Sequence, residues 1–318
     1  MSELIPILEA VVGDVDAGRP VALCAVVKTT GSTPRTPGAA MVVRSDGTTI
    51  GTVGGGLVET QVRDMAGEML RQNQAARLES ALDHDCDSSE GMICGGWMQF
   101  VVMPVMPTTP LEPFRQALDR ARRREPAWLP LTVVHEGKTL EYRLHLEVPP
   151  TLLVAGAGHV GQAVARLAAG LDFHVVVFDD RADLLSKERF DDGIELVAGD
   201  IGQVLGNYPL DAACYVVIVT RGHQHDQRAL EAVIRRTTAY VGMMGSRRKS
   251  AAVLEALTRS GIPRELLDRV HTPIGLSIGA VTVPELAVSI LAELIQSRRQ
   301  TRPNLVDGPF PVAGTESP

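Results

Sequence analysis

A chain of 318 residues with 45% hydrophobic and 22% charged side chains is long enough for two globular domains, and this balance excludes a disordered or fibrous polymer. A formal net charge of −7 argues against a nucleic-acid surface, which would need a basic face. No apolar run reaches the roughly 20 residues that span a bilayer, and the start MSELIPILEAVV has no signal-peptide pattern, so the four scattered cysteines are expected reduced, in a cytoplasm.

Residues 4–17 read as a short amphipathic helix, followed by strands at 21–27 and 39–47. TTIGTV at 48–53 pairs with the second strand across Asp46-Gly47, a hairpin signal. Between the first two strands, KTTGSTPRTPGAAM presents Ser32, Thr33 and Arg35 on a backbone partly preset by prolines. Gly54, Gly55 and Gly56 then open a helix whose apolar residues Leu57, Val58, Val62, Met65, Met69 and Leu70 share one face. Three consecutive glycines form a nest of backbone N–H groups suited to an anion or a polar heterocycle, with Glu59 early in the helix; the plainer reading is a tight turn. It is not a Walker loop, since G-K-[ST] is absent. Cys24 falls mid-strand and is expected in the core, and acids surround Cys86. Cys94, in MICGGWM, is either a functional thiol, as nucleophile or soft-metal ligand, or a small buried residue. A strand at 97–105 completes an N-terminal domain over 1–106.

Residues 107–150 start at the proline-punctuated MPTTPLEP and read as a connecting helix and two strands, either attached to the first domain or bridging the two. Their basic cluster, Arg120 to Arg124, is an exposed helix end or a docking patch. From 151 to 299 the texture becomes strand, glycine turn, helix and strand, with further apolar runs at 194–198, 215–220 and 238–243. Continuous apolar runs are what strands covered on both faces require. The fold class is therefore α/β, a C-terminal Rossmann-like doubly wound parallel sheet with a smaller N-terminal α/β domain. Residues 300–318 read as a mobile tail.

In the turn of G-x-G-x-x-G, Gly156 permits the bend, Gly158 admits a pyrophosphate to the backbone, and Gly161 allows close packing of helix on strand. Asp179 is placed to accept from a ribose diol, and His159 either faces the ligand or is structural. Arg221, His223, His225 and Asp226 follow the fourth strand, where a polar ligand, a metal or a structural role are open. Ser246 caps a helix whose first turn carries Arg247, Arg248 and Lys249; cations there oppose the helix dipole unless an anion compensates. Thr282 and Glu285 form a capping box for the last helix.

Taken together, GSTPRTPGAAMVV, DGTTIGTVGGGLVE, ICGG, LLVAGAGHVGQAVARLA, VVVFDDR, VTRGHQHD, VGMMGSRRK and TPIGLSIGAVTVPELAVSILAE resemble the XdhC/CoxI family over nearly the whole chain. The family comprises accessory proteins of molybdenum hydroxylases such as xanthine dehydrogenase and aldehyde oxidoreductase. The resemblance implies a chaperone without turnover of its own, often a homodimer, that binds the molybdenum cofactor. It also implies help with sulfuration by a cysteine desulfurase and insertion into an apo-enzyme client, with Cys94 at the position associated with cofactor binding and a possible molybdenum ligand. TRGHQHD departs from the more usual T-H-x-x-x-D pattern, as expected of a subgroup serving a client other than xanthine dehydrogenase.

If the cofactor is molybdopterin cytosine dinucleotide, made by a cofactor nucleotidyltransferase, the turn at 156–161 would hold its nucleotide half. Arg35, the glycine nest and Cys94 would hold the pterin and metal. Two other classes stay open: an NAD(P)-dependent oxidoreductase using His159 or His223, and a scaffold joining desulfurase to client.

Overall fold

The computed structural model describes residues 3–82, 95–300 and 304–312. The chain divides into two compact units, the first running to Val148 and regaining the chain after 303, the second starting at Pro149.

The first unit begins with α1 (Leu4–Asp16), β1 (Val21–Thr30), β2 (Ala40–Arg44), β3 (Thr49–Gly51), α2 (Gly56–Gln72), β4 (Ala76–Ala81) and β5 (Trp97–Val105). The strands form an antiparallel sheet in the order β3-β2-β1-β5-β4. Alternation along β1 decides which helix covers which face. Val21, Leu23, Ala25 and Val27 join the core that contains Ile7, Leu8 and Val11 of α1. Ala22, Cys24 and Val26 join the core that contains Val58, Val62 and Ala66 of α2. Cys24 is fully buried, and burial pushes its thiol pKa up. Asp14, 4% exposed, ties α1 to the sheet through Arg44 Nε at 2.6 Å and Arg19 Nη2 at 2.7 Å. Burial raises the Asp14 pKa, but the two guanidinium groups outweigh it and hold it low.

α3 (Glu112–Arg122) and the hairpin β6 (Ala127–His135) and β7 (Lys138–Leu146) follow. Both residues of the hairpin turn, Glu136 and Gly137, have positive φ, as a two-residue turn matching strand twist requires. Leu129, Leu131, Val133, Tyr142 and Leu144 enter the same core as α1, so residues 107–148 belong to the first unit, the attached alternative of the two open in the sequence. The basic cluster ends α3, where Arg122 pairs with Glu9 at 2.7 Å and Arg120 with Glu125 at 3.6 Å.

The second unit contains β8 (Thr151–Ala155), α4 (His159–Ala169), β9 (His174–Asp179), β10 (Glu195–Ala198), α5 (Ile201–Asn207), β11 (Cys214–Ile218), α6 (His223–Val233), β12 (Tyr240–Met243), α7 (Arg247–Arg259), α8 (Arg264–Leu267) and α9 (Val283–Gln300). Its strands are parallel in the order β10-β9-β8-β11-β12, with separate apolar cores on the two faces. This is the doubly wound sheet expected from the continuous apolar runs. The chain leaves β8 towards β9 and later returns to β11 on the other side, so the topological switch point lies between β8 and β11. The capping box on α9 forms, with Glu285 Oε2 accepting from Thr282 N at 2.8 Å and Thr282 Oγ1 accepting from Glu285 N at 3.4 Å.

Residues 304–312 differ from the mobile tail read in the sequence. Their strand β13 (Val306–Pro311) adds to β7 at the edge of the three-stranded sheet β13-β7-β6. His145 Nε2 lies 2.7 Å from Asp307 Oδ2, and the Arg143 guanidinium stacks on Trp128 and Phe310 at 4.7 and 5.1 Å. Gly308 and Pro309 signal a break, yet an edge strand needs ladder bonds on one side only, and a shift of register between Asp307 and Phe310 absorbs the two residues.

Candidate functional site

In the first unit, packing gathers three separate sequence segments. A Cβ on Gly96 would lie 2.2 Å from the Ser32 carbonyl oxygen and 2.9 Å from that of Thr30, so only glycine lets these backbones touch. Gly31 meets Gly95 in the same way, 3.0 Å from its oxygen. A Cβ on Gly54 would press on Pro34 at 2.8 Å and approach Arg35 at 3.9 Å. The loop carrying Ser32 and Arg35 is thus pinned against both the glycine run and the Gly95-Gly96 pair. Cys94 and Cys86 lie outside the described residues, but the glycines that follow Cys94 stand beside Ser32.

The glycine run holds three positive φ values in succession, 147°, 73° and 56° at Gly54, Gly55 and Gly56. Its N–H groups are already partly engaged. Glu59 Oε2 accepts from Gly55 N at 3.2 Å and from Thr52 Oγ1 at 2.7 Å, while Thr52 Oγ1 accepts from Gly54 N at 3.2 Å. The anion at this helix start is therefore the protein's own carboxylate. Arg35 pairs with Glu3 and is 28% exposed, and Ser32 is exposed.

In the second unit, two of the fingerprint glycines sit where no larger residue fits. A Cβ on Gly156 would lie 2.6 Å from Val219 O, and one on Gly161 would lie 1.8 Å from Gly156 O. Gly158 is different, since a Cβ there meets no atom within 4 Å. Its backbone borders open space at the head of α4, the end at which glycine turns of this type can admit a phosphate. His159, the first residue of α4, is exposed.

Asp179 does not point into that space. Its side chain is 2% exposed, and Oδ2 accepts from Ala157 N at 2.7 Å and Arg181 Nη2 at 3.0 Å. Oδ1 accepts from Arg181 N at 3.0 Å and Arg181 Nε at 2.9 Å. Burial raises its pKa, but these donors and the Arg181 charge bring it down to about 2. Arg189 Nη2 meanwhile donates to Ala157 O at 2.9 Å, so both backbone groups of Ala157 are held by side chains. The pair Arg181 and Arg189 is not evident in the sequence. Arg181 has a cue in the DDR tripeptide, whereas Arg189 reaches back 32 residues without a local pattern.

Beyond β11, Arg221 Nη2 meets Asp180 Oδ2 at 2.7 Å. His223 starts α6 and is exposed. Asp226 is fully buried, accepting from Thr220 Oγ1 at 2.6 Å and facing Lys249 Nζ at 2.5 Å. The sequence hint of a metal in H-x-H-D gains no support from this arrangement. Asp226 is spent on a lysine, and among the described residues no group of three His, Cys, Asp or Glu side chains could hold a metal ion. Lys249 is accordingly a structural ion-pair partner. Ser246 caps α7, its Oγ accepting from Lys249 N at 3.2 Å, and Arg247 and Arg248 stay exposed. Arg247 borders an open cleft of about 440 Å3 together with Arg264, Ser250 and Thr272. No helix among the described residues is long and apolar enough to cross a membrane.

The model of the XdhC Rossmann domain matches residues 152–294, and that of the XdhC and CoxI family matches residues 15–80. The protein YqeB of Escherichia coli (strain K12) is 29% identical over 296 residues, covering 93% of this chain and 47% of YqeB. A probable xanthine dehydrogenase subunit from Bacillus subtilis (strain 168) is 31% identical over 158 residues, 49% of this chain and 45% of that protein. The chain spans about half the length of these two relatives. The molybdenum cofactor insertion chaperone PaoD of Escherichia coli (strain K12) is 24% identical over 301 residues, 89% of this chain and 85% of PaoD. A crystal structure of a xanthine dehydrogenase from Bacillus halodurans superposes with a TM-score of 0.78 at 22% identity, covering 95% of this chain and 97% of that one, a likeness of fold. With the two family models falling one on each unit, this chain belongs to the XdhC/CoxI family.

Proposed function

We propose that this protein is a carrier of the molybdenum cofactor, which it protects, helps a cysteine desulfurase to sulfurate, and inserts into an apo molybdenum hydroxylase, without turnover of its own. The observation that carries the reading is the backbone contact of Gly96 with Ser32, because it fixes the chain next to Cys94 against the loop bearing Arg35. A soft thiol beside polar loops suits a molybdenum-bearing pterin. The similarity to PaoD, a molybdenum cofactor insertion chaperone, extends over most of this chain and supports the same role.

In this reading Ser32, Arg35 and Cys94 hold the pterin and metal, and the backbone at Gly158 holds the pyrophosphate of a cytosine dinucleotide form. Glu59 orders the glycine run instead of leaving it open to a second anion. The residues fit a dinucleotide at the turn, since Gly158 offers uncovered backbone where Gly156 and Gly161 are tightly enclosed. When bound, the cofactor supplies the redox metal that the client uses; this chain orients it and excludes competing ligands. The cofactor nucleotidyltransferase as donor, a homodimeric state and a cytoplasmic location belong to the same proposal.

The test is to purify the full chain from cells that make the cofactor and identify bound pterin and nucleotide by mass spectrometry. Molybdopterin cytosine dinucleotide, or molybdopterin alone, is the expected companion. Recovery of NAD(H) in its place, with tight binding on direct titration, would replace the carrier by an oxidoreductase. Protein that binds desulfurase and client but no cofactor would be a scaffold.

A further inference from the structure

We infer that Asp180, not Asp179, is the acid that selects a ribose in the crevice of the second unit, and that Arg221 holds it in reserve until a phosphate takes its place. The inference rests on the nucleotide half of the proposed function and names the residues that would recognise it.

The acid at the end of the second strand of such a sheet commonly accepts from a ribose diol. Asp179 occupies that place in the sequence but cannot do so here. Its two oxygens take four N–H donors, from Ala157 and from the backbone and side chain of Arg181, all within 3.0 Å. At 2% exposure it has no face left for a ligand. Its work is to brace the glycine turn.

Asp180 is the next residue, and its side chain is 28% exposed. One oxygen meets Arg221 Nη2 at 2.7 Å, and the other stands 4.0 Å from Arg181 Nε. Asp180 follows β9 and Arg221 lies just past β11, and these two strands flank β8. The ion pair therefore crosses over the end of β8, the strand that delivers the glycine turn. A pair exposed to this extent, with Arg221 at 49%, is weakly held.

A ribonucleoside 5′-diphosphate group supplies a partner for each member of the pair. The vicinal hydroxyls donate to a carboxylate, and the phosphate accepts two parallel bonds from a guanidinium. On binding, one charge-assisted contact is exchanged for two, and neither charge is left alone. A deoxyribose offers one hydroxyl fewer and should be discriminated against. A 2′-phosphate would meet the Asp180 charge and be rejected.

The experiment is calorimetric titration of the full chain with cytidine 5′-diphosphate and with its 2′-deoxy analogue. Wild type is expected to favour the ribonucleotide roughly tenfold, the worth of one charge-assisted hydrogen bond. Asp180→Ala should remove that preference while binding the deoxy analogue at least as well as wild type, because Arg221 is released. Arg221→Ala should weaken both nucleotides alike and keep the preference. Melting curves check that both variants fold. If Asp180→Ala keeps the full ribose preference, the inference is overturned although the nucleotide reading stands. If Arg221→Ala binds as tightly as wild type, the reserve role of Arg221 falls. If wild type binds neither nucleotide, the underlying reading fails and the inference with it.

Discussion

Replacing Asp179 by asparagine keeps the shape of the side chain but removes its charge and one of its two acceptors. In the native structure four N–H donors converge on the carboxylate, so the new amide group must face donors with a donor. The folded pKa of about 2 lies below the roughly 3.9 of an unfolded aspartate, which corresponds to about 3 kcal/mol of stabilisation at neutral pH. Adding part of the penalty for an unsatisfied buried donor gives an expected loss of about 3 to 4 kcal/mol. For a unit the size of the second one that lowers Tm by about 6 to 16 °C. The sign with pH follows from the lowered pKa. The contribution is complete above the unfolded pKa and vanishes as pH falls towards the folded one, so the gap between wild type and D179N should be full near neutrality and close between about pH 4 and pH 2. Melting followed by circular dichroism at several pH values measures the gap. A Tm unchanged at neutral pH, or a gap that does not shrink on acidification, would refute the account of Asp179 as the brace of the turn.

Cys94→Ala is expected to cut molybdenum retention sharply, measured by metal analysis after gel filtration, with little change in Tm; Cys24→Ala, at a fully buried position of β1, should lower Tm and spare retention. Gly96→Ala should disturb the loop at Ser32, since its Cβ would sit 2.2 Å from a carbonyl oxygen, and so reduce cofactor retention as well as thermal stability; an unperturbed melt and full retention would contradict the contact. Lys249→Met leaves the buried Asp226 charge unpaired and should cost about 3 kcal/mol, a loss that Asp226→Asn in the same chain should partly restore in a denaturant double-mutant cycle. Arg247→Ala with Arg248→Ala should weaken cofactor binding more at low salt than at high salt if these side chains meet an anion; unchanged affinity at both salts with impaired delivery would mark them as a docking patch for the client.

Most of the second unit can be read from its sequence because its signals are local. The β8 run, the glycines Gly156 and Gly161 and the Thr282–Glu285 box each act within a few residues, and the structure shows the strand, the close packing and the cap in place. The brace around the turn is hidden for the opposite reason. Asp179 has the expected spacing, but spacing does not say whether a carboxylate faces a ligand or the backbone of Ala157, and the adjacent Arg181 decides it. Asp226 and Lys249 belong to different helices, so nothing in H-x-H-D announces a lysine partner. In the first unit the polar-glycine loops stand out, while their mutual contact does not, since it depends on backbone approach at Gly31, Gly54 and Gly96. The short strands β4 and β13 leave little trace because edge strands need little apolar alternation, and Gly308-Pro309 looks like a terminator.

The addition of β13 to β7 also has a consequence for the order in which the chain matures. The partners His145 and Asp307 are separated by 162 residues, and the whole parallel sheet is encoded in that interval. At a synthesis rate of roughly 5 to 20 residues per second, the edge of β7 waits about 8 to 30 s on the ribosome before its neighbour emerges. The second unit has the chance to fold first, as an insertion, while the unit that starts the chain is the last to close. A nascent protein in that interval carries an open strand edge, the surface most prone to pairing with another chain. Ribosome stalling between β7 and β13 is therefore the stage of biosynthesis at which aggregation should be greatest.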